Sequence, residues 1–254
     1  MAKTIAIFNQ KGGVGKTTTT MNLTTALSMK GYKVLTVDID PQGNTSSGFG
    51  IEKSEIDKSI YDALIEGEDL RQIILTTAYR NLHILPSNLE LAGSEIELAD
   101  IDRRELRLRH CLQTIEGYYD FIFIDCPPSL GLLTINALAA SNSVLIPIQC
   151  EFYALEGVGQ LMNTIALVKK GLNPGLEIEG VLMTMYDSRT NLSMQVVQEV
   201  KDYFKDKVYN TYIPRNVRLA EAPSYGQSIF EYAVNSKGSK AYADFADEFI
   251  GRQE

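Results

Sequence analysis

The stretch that most constrains this chain is residues 3–20, KTIAIFNQKGGVGKTTTT. Residues 4–8 are apolar and β-favouring and read as a strand. A glycine-rich turn follows, and Lys16 to Met29 read as a helix that stops at Gly31. A strand, a Gly-rich loop and a helix N-terminus in that order make an anion site. Glycines let backbone N–H groups converge without Cβ clashes, and the helix dipole favours negative charge. The pattern G-x-x-x-x-G-K-[ST] is met at its end by Gly15, Lys16 and Thr17, while Gln10 replaces its first glycine. Lys16 stands where a lysine reaches β/γ-phosphates, and Thr17 where a hydroxyl ligates Mg2+. Lys11, directly before Gly12 and Gly13, is a second cation with no task in a one-lysine cradle. The threonines at 17–20 are poor helix material, a cost that phosphate contacts at the first turn would offset in part.

Beyond this stretch, strand-like and helix-like segments alternate with no internal repeat, low-complexity tract or obvious linker. That argues for a doubly wound α/β sheet, mostly parallel with helices on both faces, in a single domain over residues 1–254. Strands are expected at 33–40 (KVLTVDID), 82–85, 120–125, 143–149 and 176–185, with a further short one between 208 and 213. Helices are expected at 155–170, 193–204 and 237–250, and a surface helix with four solvated arginines ends near Gly117. Residues 51–80 are the least readable, with helical patches at 60–64 and 70–74. The segment PQGNTSSGFG at 41–50 reads as a loop.

Ligands gather at strand C-termini in this architecture. The strand KVLTVDID ends in two aspartates, and the reading is a switch loop. Asp40 would lie near a γ-phosphate and orient the attacking water, and Asp38 would be a partner of Mg2+-bound water. The apolar run at 120–125 ends in Asp125, an arrangement that holds Mg2+ through water. His83 and His110 lack metal-ligand spacing and read as structural.

Composition narrows the partners. A net charge of −8 gives no global basic character, so a DNA surface must be a local patch. Residues 207–218 hold Lys207, Arg215 and Arg218 without an acid. Arg189 lies in a polar loop, and Lys237 and Lys240 open the last helix. Sequence-independent DNA affinity needs several phosphate contacts, not a motif. Cys111, Cys126 and Cys150 read as reduced, mostly buried thiols of a cytosolic protein. No apolar run approaches the roughly 18–20 residues of a membrane span. The chain enters its first strand at once, so neither a signal peptide nor a preceding DNA-reading domain is expected.

KGGVGKTT resembles the deviant Walker A motif of the ParA/MinD family of ATPases. DIDPQGN resembles that family's switch I, DCPPS its switch II, and IPRN its adenine-binding turn. PIQCEFYALEG is similar to the ParA/Soj branch. The resemblance spans residues 2 to about 250. It implies ATP and Mg2+ as cofactors, with ATP held by Lys11, Gly12, Gly13, Val14, Gly15, Lys16, Thr17 and Thr18. Pro214 would abut the base and Asn216 would hydrogen-bond its edge. Lys11 would reach across an ATP-sandwiched homodimer to the partner's nucleotide. The further implications are binding to non-specific double-stranded DNA through residues such as Arg189 and Arg218, stimulation by a ParB-like partner, and a cytoplasmic, nucleoid-associated location. Two alternatives stay open. A MinD-like membrane-cycling role needs a basic amphipathic C-terminal helix, whereas AYADFADEFIGRQE is acidic and argues against stable membrane association. A P-loop ligase would betray itself by a product other than ADP and phosphate. An iron-sulfur role is disfavoured because Cys126 sits between Asp125 and two prolines.

Overall fold

The period-two burial of the strands sets the architecture. In the sequence Phe121-Ile122-Phe123-Ile124, the isoleucines enter one buried cluster and the phenylalanines another, on the opposite face. A strand buried on both faces belongs at the centre of a sheet covered by helices on each side. The computed structural model, which describes residues 1–152, 154 and 157–253, shows that arrangement. The strands are β1 (Lys3–Ile7), β2 (Val34–Asp38), β3 (Leu75–Thr76), β4 (Leu82–Leu85), β5 (Phe121–Asp125), β6 (Ser143–Gln149) and β7 (Glu177–Thr184). They lie in the order β3-β4-β2-β5-β1-β6-β7. All pairings are parallel except β3 with β4.

Helices follow most of the strands: α1 (Lys16–Met29), α2 (Asn44–Gly48), α3 (Ile60–Ile65), α4 (Leu70–Ile73), α5 (Ser94–Glu97), α6 (Arg107–Gln113) and α7 (Leu132–Ala140). The rest are α8 (Val158–Gly171), α9 (Asn191–Phe204), α10 (Val217–Glu221), α11 (Ile229–Tyr232) and α12 (Lys237–Gly251). On one face Leu108, Leu133, Leu161 and Val196 cover Ile122, Ile124 and Ala6. On the other, Leu23 and Leu27 of α1 and Phe245 and Phe249 of α12 cover Phe121, Phe123 and Ile5. Phe249 lies 5.5 Å from Phe121 and 5.7 Å from Phe123, ring centre to ring centre. Burying each such ring is worth about 1.5–3 kcal/mol.

Register positions the site. Ile7 pairs with Asp125, and Asp125 pairs with Asp38, so the phosphate-loop strand ends beside both acids.

Several elements depart from expectation. The strand of 33–40 stops at Asp38, which frees Asp40 to turn, and the 41–50 loop contains α2. Residues 208–214 form only isolated bridges, Val181 to Val208 and Tyr186 to Pro214, not a strand. The helix expected from 155 begins at Val158, and Leu155 and Glu156 lie outside the described residues. Three of the four arginines before Gly117 are not simply solvated: Arg104 donates to the Ala99 carbonyl at 2.7 Å. Arg107 donates to the Leu64 carbonyl at 2.9 Å, and Arg109 donates to the carbonyl of Ala139. Helix α7 and the edge strand β3 had no counterpart in the sequence reading.

Candidate functional site

The loop after β1 is shaped by backbone that only glycine adopts easily. Gly13 has φ of 74° and Gly15 of 92°, both left-handed. Asn9 braces the loop from below, accepting from the Lys11 N–H at 3.0 Å and donating to the Pro147 carbonyl at 2.8 Å. The Thr184 hydroxyl fastens it from β7, donating to the Val14 carbonyl at 2.7 Å. Among the described residues, no side chain caps the N-terminus of α1, and its first turn carries no acid. Its leading N–H groups therefore face the loop unpartnered by side chains, a fit for phosphate oxygens.

The two lysines differ. Lys16 is buried, and its ammonium donates to the Lys11 carbonyl at 3.2 Å. Burial lowers its pKa, and the nearby Asp125, Cys126 and Asp40 charges oppose that shift. Lys11 is half-buried, and among the described residues its ammonium makes no hydrogen bond or ion pair.

Three threonine hydroxyls converge on Asp125. Thr17 and Thr45 donate to Oδ2 at 2.7 and 2.6 Å, and Thr20 donates to Oδ1 at 3.2 Å. Burial raises the Asp125 pKa, while the Thr45 and Thr17 bonds and the Lys16 charge pull it down. Asp38, fully buried, accepts from the Ser46 N–H and hydroxyl, each at 2.8 Å, and from the Asp40 N–H at 3.2 Å. Burial, then the Asp125 charge, pushes its carboxyl up to about 7. Asp40 is only partly buried. It accepts from the Gln42 N–H at 2.9 Å, and its carbonyl is held by the Ser87 hydroxyl at 2.8 Å. No group of three or more His, Cys, Asp or Glu among the described residues could hold a metal. The donor set of one hydroxyl beside buried carboxylates suits Mg2+, which keeps most of its waters and takes phosphate oxygens.

A cavity of about 310 Å3 opens beside the loop, lined by Gly15 and Thr18 on one side and by Pro214, Asn216 and Leu219 on the other. Met185 lines it too and holds a left-handed φ of 52°, rare for such a side chain. The Asn216 side-chain oxygen caps α10 through the Arg218 N–H at 2.9 Å, so its amide NH2 is the group left for a ligand. The wall of this cavity connects to the aspartates through backbone. Gly50, just past α2, and Gly226 are both left-handed. A Cβ on Gly226 would lie 2.6 Å from the Gly50 Cα.

The basic residues singled out for DNA are exposed, and the two arginines among them are engaged locally. Asp187 grips Arg189 at 2.9 and 2.7 Å, and this guanidinium holds the Asp187 carboxyl well below the usual range. Arg218 pairs with Glu221 at 2.8 Å. Leu219 of α10 packs against Gly238 of α12, which brings Arg218 into the neighbourhood of Lys237 and Lys240. Arg189 lies in the loop after Tyr186, which is bridged to Pro214.

Sequence reasoning found the loop and the acids but missed Thr20, Thr45 and Ser46, the residues that hold those acids. The signal was present in the threonine run 17–20, of which Thr17 and Thr20 bond Asp125 and Thr19 bonds Tyr242. Thr45 and Ser46 lay in a segment read as loop.

A phosphate cradle at the C-terminal end of a central parallel strand, a lysine buried in it, two paired acids and a base-sized cavity define a P-loop ATPase. The AAA domain family model matches residues 2–178. The chain is 58% identical over 248 residues to the sporulation initiation inhibitor protein Soj of Bacillus subtilis (strain 168), covering 98% of each. It is 51% identical over 252 residues to the chromosome partitioning protein ParA of Myxococcus xanthus (strain DK1622), covering 99% of this chain and 89% of that one. Among solved structures, the cobyrinic acid a,c-diamide synthase of Mycobacterium smegmatis with bound ADP and magnesium superposes with a TM-score of 0.88. That match has 37% identity and covers 100% and 96% of the two chains. The chain belongs to the AAA domain family, as an ATPase of the ParA/Soj chromosome-partitioning type.

Proposed function

We propose that this ATPase is a dimeric switch that binds DNA non-specifically when loaded with ATP and releases it on hydrolysis, driving segregation of a chromosome or plasmid. One observation carries this reading beyond family membership. Lys16 is buried within its own loop, while Lys11 beside it presents an ammonium without a partner among the described residues. A cation left over in a one-nucleotide cradle suits a nucleotide held by a second copy of the chain.

In this reading Lys16 and the N–H groups of residues 12–18 neutralise the phosphates. Thr17, with Asp38 and Asp125 through water, would hold Mg2+. The bound metal would supply neutralisation of phosphate charge. Asp40, on its tight turn, holds the attacking water in line. Pro214 lies against the base, and the Asn216 NH2 donates to its edge. Slow turnover follows if a ParB-like partner completes the site. Pairing two copies doubles the cationic contacts of Arg189, Arg218, Lys237 and Lys240 on one rigid surface, so nucleotide switches binding on through avidity. A cytoplasmic, nucleoid-associated location goes with that role. No helix among the described residues is long and apolar enough to cross a membrane.

The apolar face of α12, with Phe245, Ala246 and Phe249, is buried in the core, which disfavours an alternative in which this helix lies on lipid. A ligase is the second reading, favoured by the Mycobacterium smegmatis relative, which is a cobyrinic acid a,c-diamide synthase. Binding to random-sequence duplex DNA with ATP, with ADP and without nucleotide, across a salt series, tests the proposal. ATP-dependent binding that falls steeply with salt is expected. Binding that ignores nucleotide, or none under any condition, overturns it.

A further inference from the structure

At the opposite end of the sheet from the phosphate loop, a cavity of about 510 Å3 lies where the chain enters β2, β4 and β5. Its size is that of a small-ligand site. The lining combines three chemistries. Ile74 and the buried Ile115 form an apolar floor. Tyr118, Tyr119 and His83 contribute rings, with the Tyr119 hydroxyl 2.9 Å from the His83 Nδ1 and the two rings edge-to-face. Lys33, Arg71 and Arg80 supply cations, and among the described residues no acid lines the cavity, although the chain carries a net charge of −8.

These cations are unequal. Arg71 is gripped by Asp69, at 2.5 Å for its shortest contact. Asp120 takes the Lys33 backbone N–H at 2.8 Å and leaves the ammonium alone. Among the described residues neither the Lys33 ammonium nor the Arg80 guanidinium has a hydrogen bond or ion pair. Two unpaired cations over a concave apolar floor with flanking rings match a flat heterocycle that carries a phosphate. A phosphate finds charge-assisted donors there and a base finds rings to stack on. Tyr118, 62% exposed, is not committed to the core and is available for such stacking.

We infer that this cavity is a second ligand site, for a nucleoside phosphate, separate from the ATPase centre. Isothermal titration of guanosine 5′-monophosphate into protein loaded with one equivalent of Mg-ADP tests it, because the phosphate loop then holds that nucleotide and no excess competes for the second site. One-to-one binding is expected, weakened about tenfold or more when Lys33→Ala and Arg80→Ala remove charge-assisted bonds. Tyr118→Ala weakens it further, and ribose 5-phosphate, which lacks the base, binds at least about tenfold more weakly than the nucleotide. These side chains are exposed, so the variants keep the fold and the ATPase activity. No binding at millimolar nucleotide, binding unchanged in the variants, or equal binding of ribose 5-phosphate each overturns the inference.

Discussion

The Asp38 carboxyl makes the folded chain's stability depend on pH in a way that can be measured. Burial first, and the Asp125 charge second, raise it from the usual 3.8 to about 7, against the opposing bonds from Ser46 and Asp40. At 1.36 kcal/mol for each pH unit, that gap is worth about 4 kcal/mol. The direction follows from linkage. Below the unfolded value both states hold the proton and Asp38 carries no penalty. As the pH rises, the unfolded chain ionises first, so stability falls, and the loss is complete once the folded carboxyl has also ionised near 7. Asp38→Asn removes this dependence. The variant bears a pH-independent penalty instead. Both carboxylate oxygens accept hydrogen bonds, whereas an amide has one oxygen and must turn its NH2 toward a donor, at about 1–3 kcal/mol. The slope, not the level, is therefore the readout. Urea unfolding in EDTA without nucleotide, at several pH values between about 4 and 8, should show the variant gaining on the wild type by up to about 4 kcal/mol. A difference that stays flat across this range refutes the assignment of a protonated, buried Asp38.

Lys16→Ala should abolish ATP binding, read by equilibrium dialysis. Retained binding with normal turnover would remove the loop from the site. Asp40→Ala should leave ATP binding intact while slowing hydrolysis by about a hundredfold or more, as loss of a water-positioning group does. The ATP-bound dimer should then accumulate, and a monomer by light scattering would contradict the switch role. Gly226→Ala should destabilise the fold by about 1–3 kcal/mol, because it places a Cβ against Gly50 backbone at a left-handed φ. An unchanged urea midpoint would show that the two segments part freely.

Legibility tracked local chemistry. Residues 3–30 could be read because loop, strand and helix each carry their own signal. Helix α7 was hidden because LLTINALAA is apolar on nearly every face, and its first turn is capped not by the residue before it, Gly131, but by the distant Glu95, which accepts from the Leu133 N–H at 3.3 Å. The two-residue strand β3 pairs with β4 antiparallel, an edge addition that no alternating pattern announces. The stretch 217–232 breaks into α10, a single 3-10 turn at 222–225 and α11, each too short to show a period. At the site, the acids were visible as strand ends. The hydroxyls that hold them come from two separate segments, Thr17 and Thr20 of α1 and Thr45 and Ser46 of α2, with the Ser87 N–H bracing Ser46 from a third, and only folding brings these together.

The meeting of Gly50 and Gly226 bears on how far events at the acids are felt. Where side chains separate two segments, rotamer changes can absorb a small displacement. Here main chain rests on main chain, so nothing soft lies between them. Ser46 ties the near side of this contact to Asp38, and α10, with Arg218, comes shortly before Gly226 on the far side. A shift of α2 by a fraction of an ångström must be met by residue 226 or by a gap. The protein's acid cluster and its outer basic helix therefore behave as two ends of one lever, with a pair of hydrogen-sized side chains as the fulcrum.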